Sequence, residues 1–420
     1  MANKLSPYKT YLIFSIFSAL FFSMVFTVSM VYQIEIVKLS PLQLILVGTT
    51  LETTCFLFEI PTGIVADIYS RKLSVIIGVI LIGLGFMLEG FISTLTSVLI
   101  AQVLWGIGYT FISGALDAWI AEEDKSIPLD EIYIKGSQVS QIGSVIGIIL
   151  ATIVGNFSLR LPIVIGGTLF LVLSAFLFLY MPEHNFNPSA PENLNTFKKM
   201  SHTLFSSMKV IKSNKIIILI LSITLFYGLS SEGYDRLYTA HFLKDTTLPT
   251  LGNLQPVTWF GIFGIIGMLL SAIVIQLVIK KFHSSENTSK FKNIGLLLAI
   301  NIFFILSMII FAITRDFKLM LIGYLSTNTF RTVNEPIFNG WLNNNIEANS
   351  RATVLSTNGQ INALGQILGG PLIGIIATNF SISVGILSTA LLLVPVLILY
   401  SLCLFRNTAS SIVIEEKPKL

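Results

Sequence analysis

Gly63-Ile64-Val65-Ala66-Asp67-Ile68-Tyr69-Ser70-Arg71-Lys72 is a short charged run set between two long apolar stretches, residues 41–66 and 73–94. A membrane-spanning helix needs about 20 mostly apolar residues, and both stretches meet that length. The charged turn between them therefore belongs at a membrane face. Gly63 is small enough to let helices approach closely, and Asp67 is an acid near a helix end. Arg71 and Lys72 are cations at the membrane face. Such a cluster suits a switch that holds one packing of helices and releases it in another. The plainer reading is a basic anchor with a turn.

The chain outward from this turn has a matching composition. Of its 420 residues 53% are hydrophobic and 11% charged, where a soluble domain carries roughly 25% charged residues. Cys55 and Cys403 lie in apolar runs near opposite ends, which excludes a disulfide scaffold and reads as two small buried hydrophobes. High apolar content without low-complexity tracts excludes a disordered chain. The net charge of +4 comes from loop lysines rather than a basic face, so no nucleic-acid partner is expected.

Twelve stretches have the length and apolarity of spans: residues 10–34, 41–66, 73–94, 97–121, 137–157, 161–181, 214–240, 255–280, 292–313, 318–345, 352–378 and 382–405. The first is too long for a signal peptide and lacks a small-residue cleavage site. Strand alternation is absent, which leaves helices as the spanning solution. Placing the amino terminus in the cytoplasm puts nineteen of the 26 Lys and Arg residues inside and five outside, with Arg236 and Arg331 embedded. The polar loop from Pro182, with Pro188 and Pro191, divides the chain into six spans and six. The expected fold is an all-α membrane protein of twelve transmembrane helices in two six-helix bundles, both termini cytoplasmic. Its parts are an amino-terminal bundle (1–181), a cytoplasmic central loop with a short surface helix (182–213), a carboxy-terminal bundle (214–406) and a tail (407–420). That layout suits a two-bundle transporter.

The run Gly63–Lys72 resembles the G-x-x-x-D-x-x-x-R-K motif of the major facilitator superfamily, at the place where that family carries it. A second stretch, Gly365-Gln-Ile-Leu-Gly369-Gly370-Pro371-Leu-Ile-Gly374, is similar to the family's exporter motif, usually found in span five. Span five here has Gly143, Gly147 and Gly155 but no proline, and close helix packing accounts for both stretches. Span four carries Gln102 ahead of Gly106 and Gly108, so the arginine that often couples protons there is missing.

Ionisable groups inside spans are functional candidates by default. The amino-terminal half carries Glu52, Glu59, Glu89 and Asp117; the carboxy-terminal half carries Glu232, Asp235, Arg236, Arg331 and Glu335. Glu52 and Glu59 are seven residues apart, on one helix face and about 10 Å apart along the axis. No Lys or Arg falls within the amino-terminal spans, so desolvation there favours proton uptake by a carboxylate. Such acids carry protons or bind a cation; the alternative is hydrogen-bonded packing. Glu89 falls near the outer end of a peripheral span. The resemblance implies that Asp117 pairs with Arg71 as a latch, while Glu122, Glu123 and Asp124 read as solvated loop acids. Glu232–Arg236 and Arg331–Glu335 are i,i+4 pairs. They either neutralise themselves locally or bridge spans seven and ten, which line the cavity in this superfamily. Asn328, Asn334 and Asn339 favour a cavity-facing span ten. Hydroxyls in span one and Gln138 and Gln141 in span five read as interhelical glue.

No phosphate loop, zinc motif or nucleophile elbow is present, so neither ATP nor a resident metal or cofactor is expected, and the chain is not read as an enzyme. An ion gradient is left as the energy source.

Glu59-Ile-Pro-Thr-Gly63 leading into Asp67, Arg71 and Lys72, together with Glu52 and Glu89, looks like the clostridial type of tetracycline efflux protein along the whole chain. The commoner tetracycline exporters have a glycine where Ser70 stands. The resemblance implies a monomer in the bacterial cytoplasmic membrane. It would expel tetracycline chelated to a divalent cation such as magnesium, in exchange for protons, and so confer antibiotic resistance. Its partners are then the drug, protons and the lipid bilayer. The rivals are an exporter of another cationic or amphipathic drug and a nutrient symporter. The latter would call for a more aromatic-polar or basic cavity. A membrane enzyme or scaffold lacks any catalytic constellation or soluble domain.

Overall fold

The computed structural model describes residues 4–188, 215–283, 290–346 and 351–415. Most of the central loop, with its expected surface helix, lies outside them. Every regular element among the described residues is an α-helix: α1 (Pro7–Glu35), α2 (Pro41–Ile68), α3 (Arg71–Phe91), α4 (Leu95–Glu123), α5 (Leu129–Gly155), α6 (Arg160–Tyr180), α7 (Lys215–Lys244), α8 (Val257–His283), α9 (Lys290–Ile313), α10 (Phe317–Asn343), α11 (Arg351–Asn379), α12 (Ile382–Leu392) and α13 (Val394–Glu415).

The starts of these helices follow from local chemistry. Ser6 and Ser40 each precede a proline at the first helical position, and each side chain accepts a bond from a backbone N–H of the first turn. Ser70 does the same for α3 through Leu73 N, Asp316 for α10 and Ser381 for α12. Ser70 has an extended backbone (φ −178°) that any residue adopts, so no glycine is needed in this turn.

Eleven segments of the described residues are long and apolar enough to cross a membrane, α12 and α13 together forming the last. The twelfth expected span, α10, forms a full 27-residue helix but is not among them. Its Asn328, Arg331, Asn334, Glu335 and Asn339 make it too polar, and a polar helix of this length has to face something other than lipid.

The chain divides into two compact units, residues 1–200 with 250–265, and residues 201–249 with 266–420. In the first, α1 packs along α5, α2 on α4, and α3 between α4 and α6. In the second, α7 packs along α11, and α9 against α10, α12 and α13. The two long pairings use the glycines noted above. A Cβ on Gly143 or Gly147 would strike the carbonyls of Ile16 and Leu20, and one on Gly369 would strike that of Leu229. Both glycine-bearing stretches are thus helix contacts. An aromatic cluster in the first unit links buried Phe86 and Phe170 to Phe22, Phe26 and Trp105 through ring contacts.

Candidate functional site

The polar face of α10 looks into a cavity of about 400 Å³ in the second unit, with α7, α9 and α11 as its other walls. Roughly 300–1,000 Å³ is the usual range for small-molecule sites. Tyr227, Tyr234 and Ser231 of α7 line it with Arg331, Asn334, Glu335 and Asn339 of α10 and Asn358, Asn362 and Gln366 of α11. Phe304, Met308 and Phe338 supply apolar wall.

A closed ring of hydrogen bonds fixes part of this wall. Tyr227 OH donates to Asn301 Oδ1 (2.8 Å), Asn301 Nδ2 to Asn334 Oδ1 (2.9 Å), and Asn334 Nδ2 back to Tyr227 OH (3.1 Å). The one Tyr227 hydroxyl proton is then committed, so Tyr400 OH, 3.1 Å away, is the donor to it. Asn301 is completely buried. On the neighbouring wall Thr224 Oγ1 donates to Asn358 Oδ1 (2.6 Å) and Gln366 Nε2 to Asn362 Oδ1 (2.7 Å). These side chains are held before any solute arrives.

The charges divide unevenly. Arg236 Nε donates to Glu232 Oε2 at 3.3 Å, the expected local pair. Arg331 does not pair with Glu335. Its two terminal nitrogens donate to the two oxygens of Asp235 on α7 (2.5 and 2.8 Å), a bidentate bridge between α10 and α7. The order of charges along a helix accounts for the difference. An acid four residues before a base is the favourable sense and the reverse is weaker, while a planar guanidinium matched to both oxygens of one carboxylate is stronger than either. Glu335 is left facing the cavity with no ion pair or hydrogen bond among the described residues.

In the first unit the charged turn is tied to the end of α4 and the segment after α6. Arg71 pairs with Glu122, donates to Ala118 O (3.0 Å) and lies 3.8 Å from Asp67. Ser70 Oγ and Lys72 N donate to the two oxygens of Glu183 (2.6 and 2.9 Å). Lys72 Nζ reaches Met181 O (2.7 Å) and Phe178 O (3.0 Å). Trp119 Nε1 donates to Pro182 O, and the backbone N–H groups of His184 and Asn185 to Glu123.

Three sequence expectations are corrected here. Asp117 forms no ion pair with Arg71: positions 118 and 122 share the helix face that meets Arg71, and 117 is turned away from it. Asp117 instead lies in the electrostatic surroundings of Tyr11, Tyr109 and Tyr133. Glu122 and Glu123, read as solvated loop acids, instead take these contacts, Glu122 with Arg71 and Glu123 with the backbone of His184 and Asn185. Nor does Gly63 serve a close helix approach, since a Cβ there would meet nothing within 4 Å.

Glu52 is part-buried and Glu59 exposed on α2. Both act electrostatically on Tyr109 of α4, so Glu52, Glu59 and Asp117 form one acidic neighbourhood. Glu89 is buried: Gln33 Nε2 donates to its Oε1 (2.8 Å) and Gln102 Nε2 reaches Oε2 at 3.5 Å. The span-one hydroxyls mostly bond carbonyls of their own helix, and Ser140 of α5 donates to Ser15 O across the α1–α5 contact (3.1 Å). Tyr32 OH likewise crosses to Glu89 O of α3 (2.7 Å); these two bonds join helices, and the hydroxyls bonded within α1 do not.

The family profile described as the Major Facilitator Superfamily matches residues 12–361. The chain belongs to that superfamily. It is accordingly a multi-pass membrane protein of a transporter superfamily. Among curated relatives, it is 23% identical over 368 residues to the uncharacterized MFS-type transporter YxaM of Bacillus subtilis (strain 168), covering 86% of this chain and 87% of that one. Among solved structures it is similar to the nucleoside transporter NupG, with a TM-score of 0.73 at 15% identity, covering 96% of this chain and 99% of that one. It is also similar to a peptide transporter POT in complex with sulfate, with a TM-score of 0.67 at 15% identity, covering 93% and 94%. At such identities the likeness carries the fold alone.

Within the superfamily frame, several site residues escaped sequence reading. Tyr227, Asn301, Asn358 and Asn362 were detectable only as hydrogen-bonding groups in apolar helices. Asn301 had the clearest signal, an amide in one of the most apolar stretches of the chain. Glu183 gave none, because its partners lie more than a hundred residues away.

Proposed function

We propose that this major facilitator protein exports tetracycline, as its divalent-cation chelate, from the bacterial cytoplasm in exchange for protons by alternating access. The observation that carries the reading is the cavity. It has the volume for a drug-sized solute, and its amides, tyrosines and exposed carboxylate suit a ligand rich in hydroxyl, amide and cationic character. The resemblance of Glu59–Lys72 to the clostridial tetracycline exporters supports the same substrate. Glu52 and Glu59 are the proton carriers in this account. Their protonation from outside is coupled to release of the cation from the cavity, and their deprotonation toward the cytoplasm to its rebinding there. The chain has both termini in the cytoplasm and the two six-helix bundles of its superfamily.

Expression in a tetracycline-sensitive bacterium raises the inhibitory concentration of tetracycline on this reading, and Glu52→Gln, inserted at normal levels, removes most of that protection. Equal resistance from wild type and variant overturns the role of Glu52.

A second reading has one specific observation in its favour. The amide and tyrosine lining is the aromatic-polar cavity expected of a nutrient symporter, and the structurally similar NupG and POT are named as transporters of nucleosides and peptides. Uptake of labelled nucleosides or dipeptides into intact cells, without tetracycline resistance, would favour it.

A further inference from the structure

We propose that Glu335 is the group that reads the positive charge of the solute, and that Asp235 sets the charge of the cavity by holding Arg331 away from Glu335. The inference deepens the export reading and rests on it for the identity of the natural substrate.

Arg331 and Glu335 are the charged residues among those lining the cavity. Left to themselves on α10, one turn apart, they would neutralise each other. Asp235 prevents this by taking both terminal nitrogens of Arg331 in a bidentate bridge. A guanidinium so occupied has its matched face already filled, so it offers an incoming anion little. The other embedded arginine, Arg236 of α7, is held by Glu232. The three groups Arg331, Asp235 and Glu335 therefore sum to a single negative charge, and its exposed part is Glu335. Around it Asn334, Asn339, Asn358 and Asn362 supply amide oxygens and N–H groups. Such a wall favours a monocation bearing hydroxyl or amide groups, and disfavours an anion of the same shape. The Arg331–Asp235 bridge, a conventional ion pair by appearance, is in this account a specificity device. Asp235 is a positioning residue that never touches the solute.

The test is equilibrium binding of labelled tetracycline, with magnesium, to the full chain in lipid nanodiscs. Four proteins are compared: wild type, Glu335→Gln, Asp235→Asn, and the double variant Asp235→Asn with Arg331→Gln. Replacing the charged acceptor by an amide is expected to weaken binding about tenfold to hundredfold. Asp235→Asn weakens it similarly, because the freed Arg331 turns to Glu335. The double variant recovers most of the loss, since Glu335 is again uncompensated. That recovery is what a merely structural role for Asp235 would not produce. Tight binding by wild type with no loss in Glu335→Gln overturns the inference and leaves the tetracycline reading standing. Failure of the double variant to recover, while Glu335→Gln shows the loss, overturns the role of Asp235.

If wild type binds no tetracycline, the export reading is lost and the inference is judged on probes of known charge. Thermal stabilisation of the same four proteins is then measured with tetraphenylphosphonium and with neutral triphenylphosphine oxide. A preference for the cation that disappears in Glu335→Gln and returns in the double variant supports the inference. Equal stabilisation by both probes in wild type contradicts it.

Discussion

Arg331 has two acids within reach of its place on α10, Glu335 one turn along the helix and Asp235 across on α7. The choice between them decides what the cavity presents. Spacing makes the Glu335 pair visible in the sequence, and geometry gives Arg331 to Asp235 instead. The sense of charge order along the helix was readable beforehand, because Glu232–Arg236 has the favourable order and forms. The cross-helix partner was not, since it depends on how α7 and α10 pack. Asp117 and Glu122 make the same point: either could serve Arg71 by sequence distance, and only the rotation of α4 selects Glu122. Asp117→Asn is therefore expected to leave the thermal stability of the latch unchanged. Glu122→Gln lowers it modestly, by about 1 kcal/mol or less for a pair this exposed; the reverse ranking in thermal unfolding contradicts the assignment. Asn301→Leu is a harsher change. It breaks the buried ring and strands Asn334 and Tyr227, at a cost of about 1–3 kcal/mol, read as a lowered unfolding temperature in nanodiscs.

At the scale of elements, the membrane helices were legible because an apolar run of about 20 residues matches the thickness of a bilayer and exceeds what a buried core helix needs. Helix starts were legible too, at Ser6-Pro7 and Ser40-Pro41. The exception is instructive. α10 fails the apolar criterion although it is a full helix, and the residues that spoil it, from Asn328 to Asn339, include those that line the cavity. The glycines of α5 and α11 were ambiguous in the sequence between exporter motif and packing, and their carbonyl contacts assign them to packing. A contrast tests this. Gly369→Ala drives a methyl into the Leu229 carbonyl and is expected to cost about 1–3 kcal/mol. Gly267→Ala, where no atom lies within 4 Å, is expected to be tolerated or mildly stabilising. Equal unfolding temperatures for the two variants would remove the packing argument.

For the whole molecule, the proposed exporter uses the candidate cavity of the second unit together with Glu52, Glu59 and Asp117 of the first, all three of which act electrostatically on Tyr109. In the proposed mechanism the two are coupled by alternating access, with a proton gradient as the energy source. The fold was readable from composition and one ten-residue motif. The tetracycline proposal rests on resemblance as well as on the cavity, because a polar cavity of this volume accepts more than one kind of solute. The most direct test is uptake of labelled tetracycline into inverted membrane vesicles containing the protein, with magnesium present and a proton gradient imposed. The account predicts accumulation that collapses when an uncoupler is added. No accumulation, with the protein verified in the vesicle membrane, would contradict it.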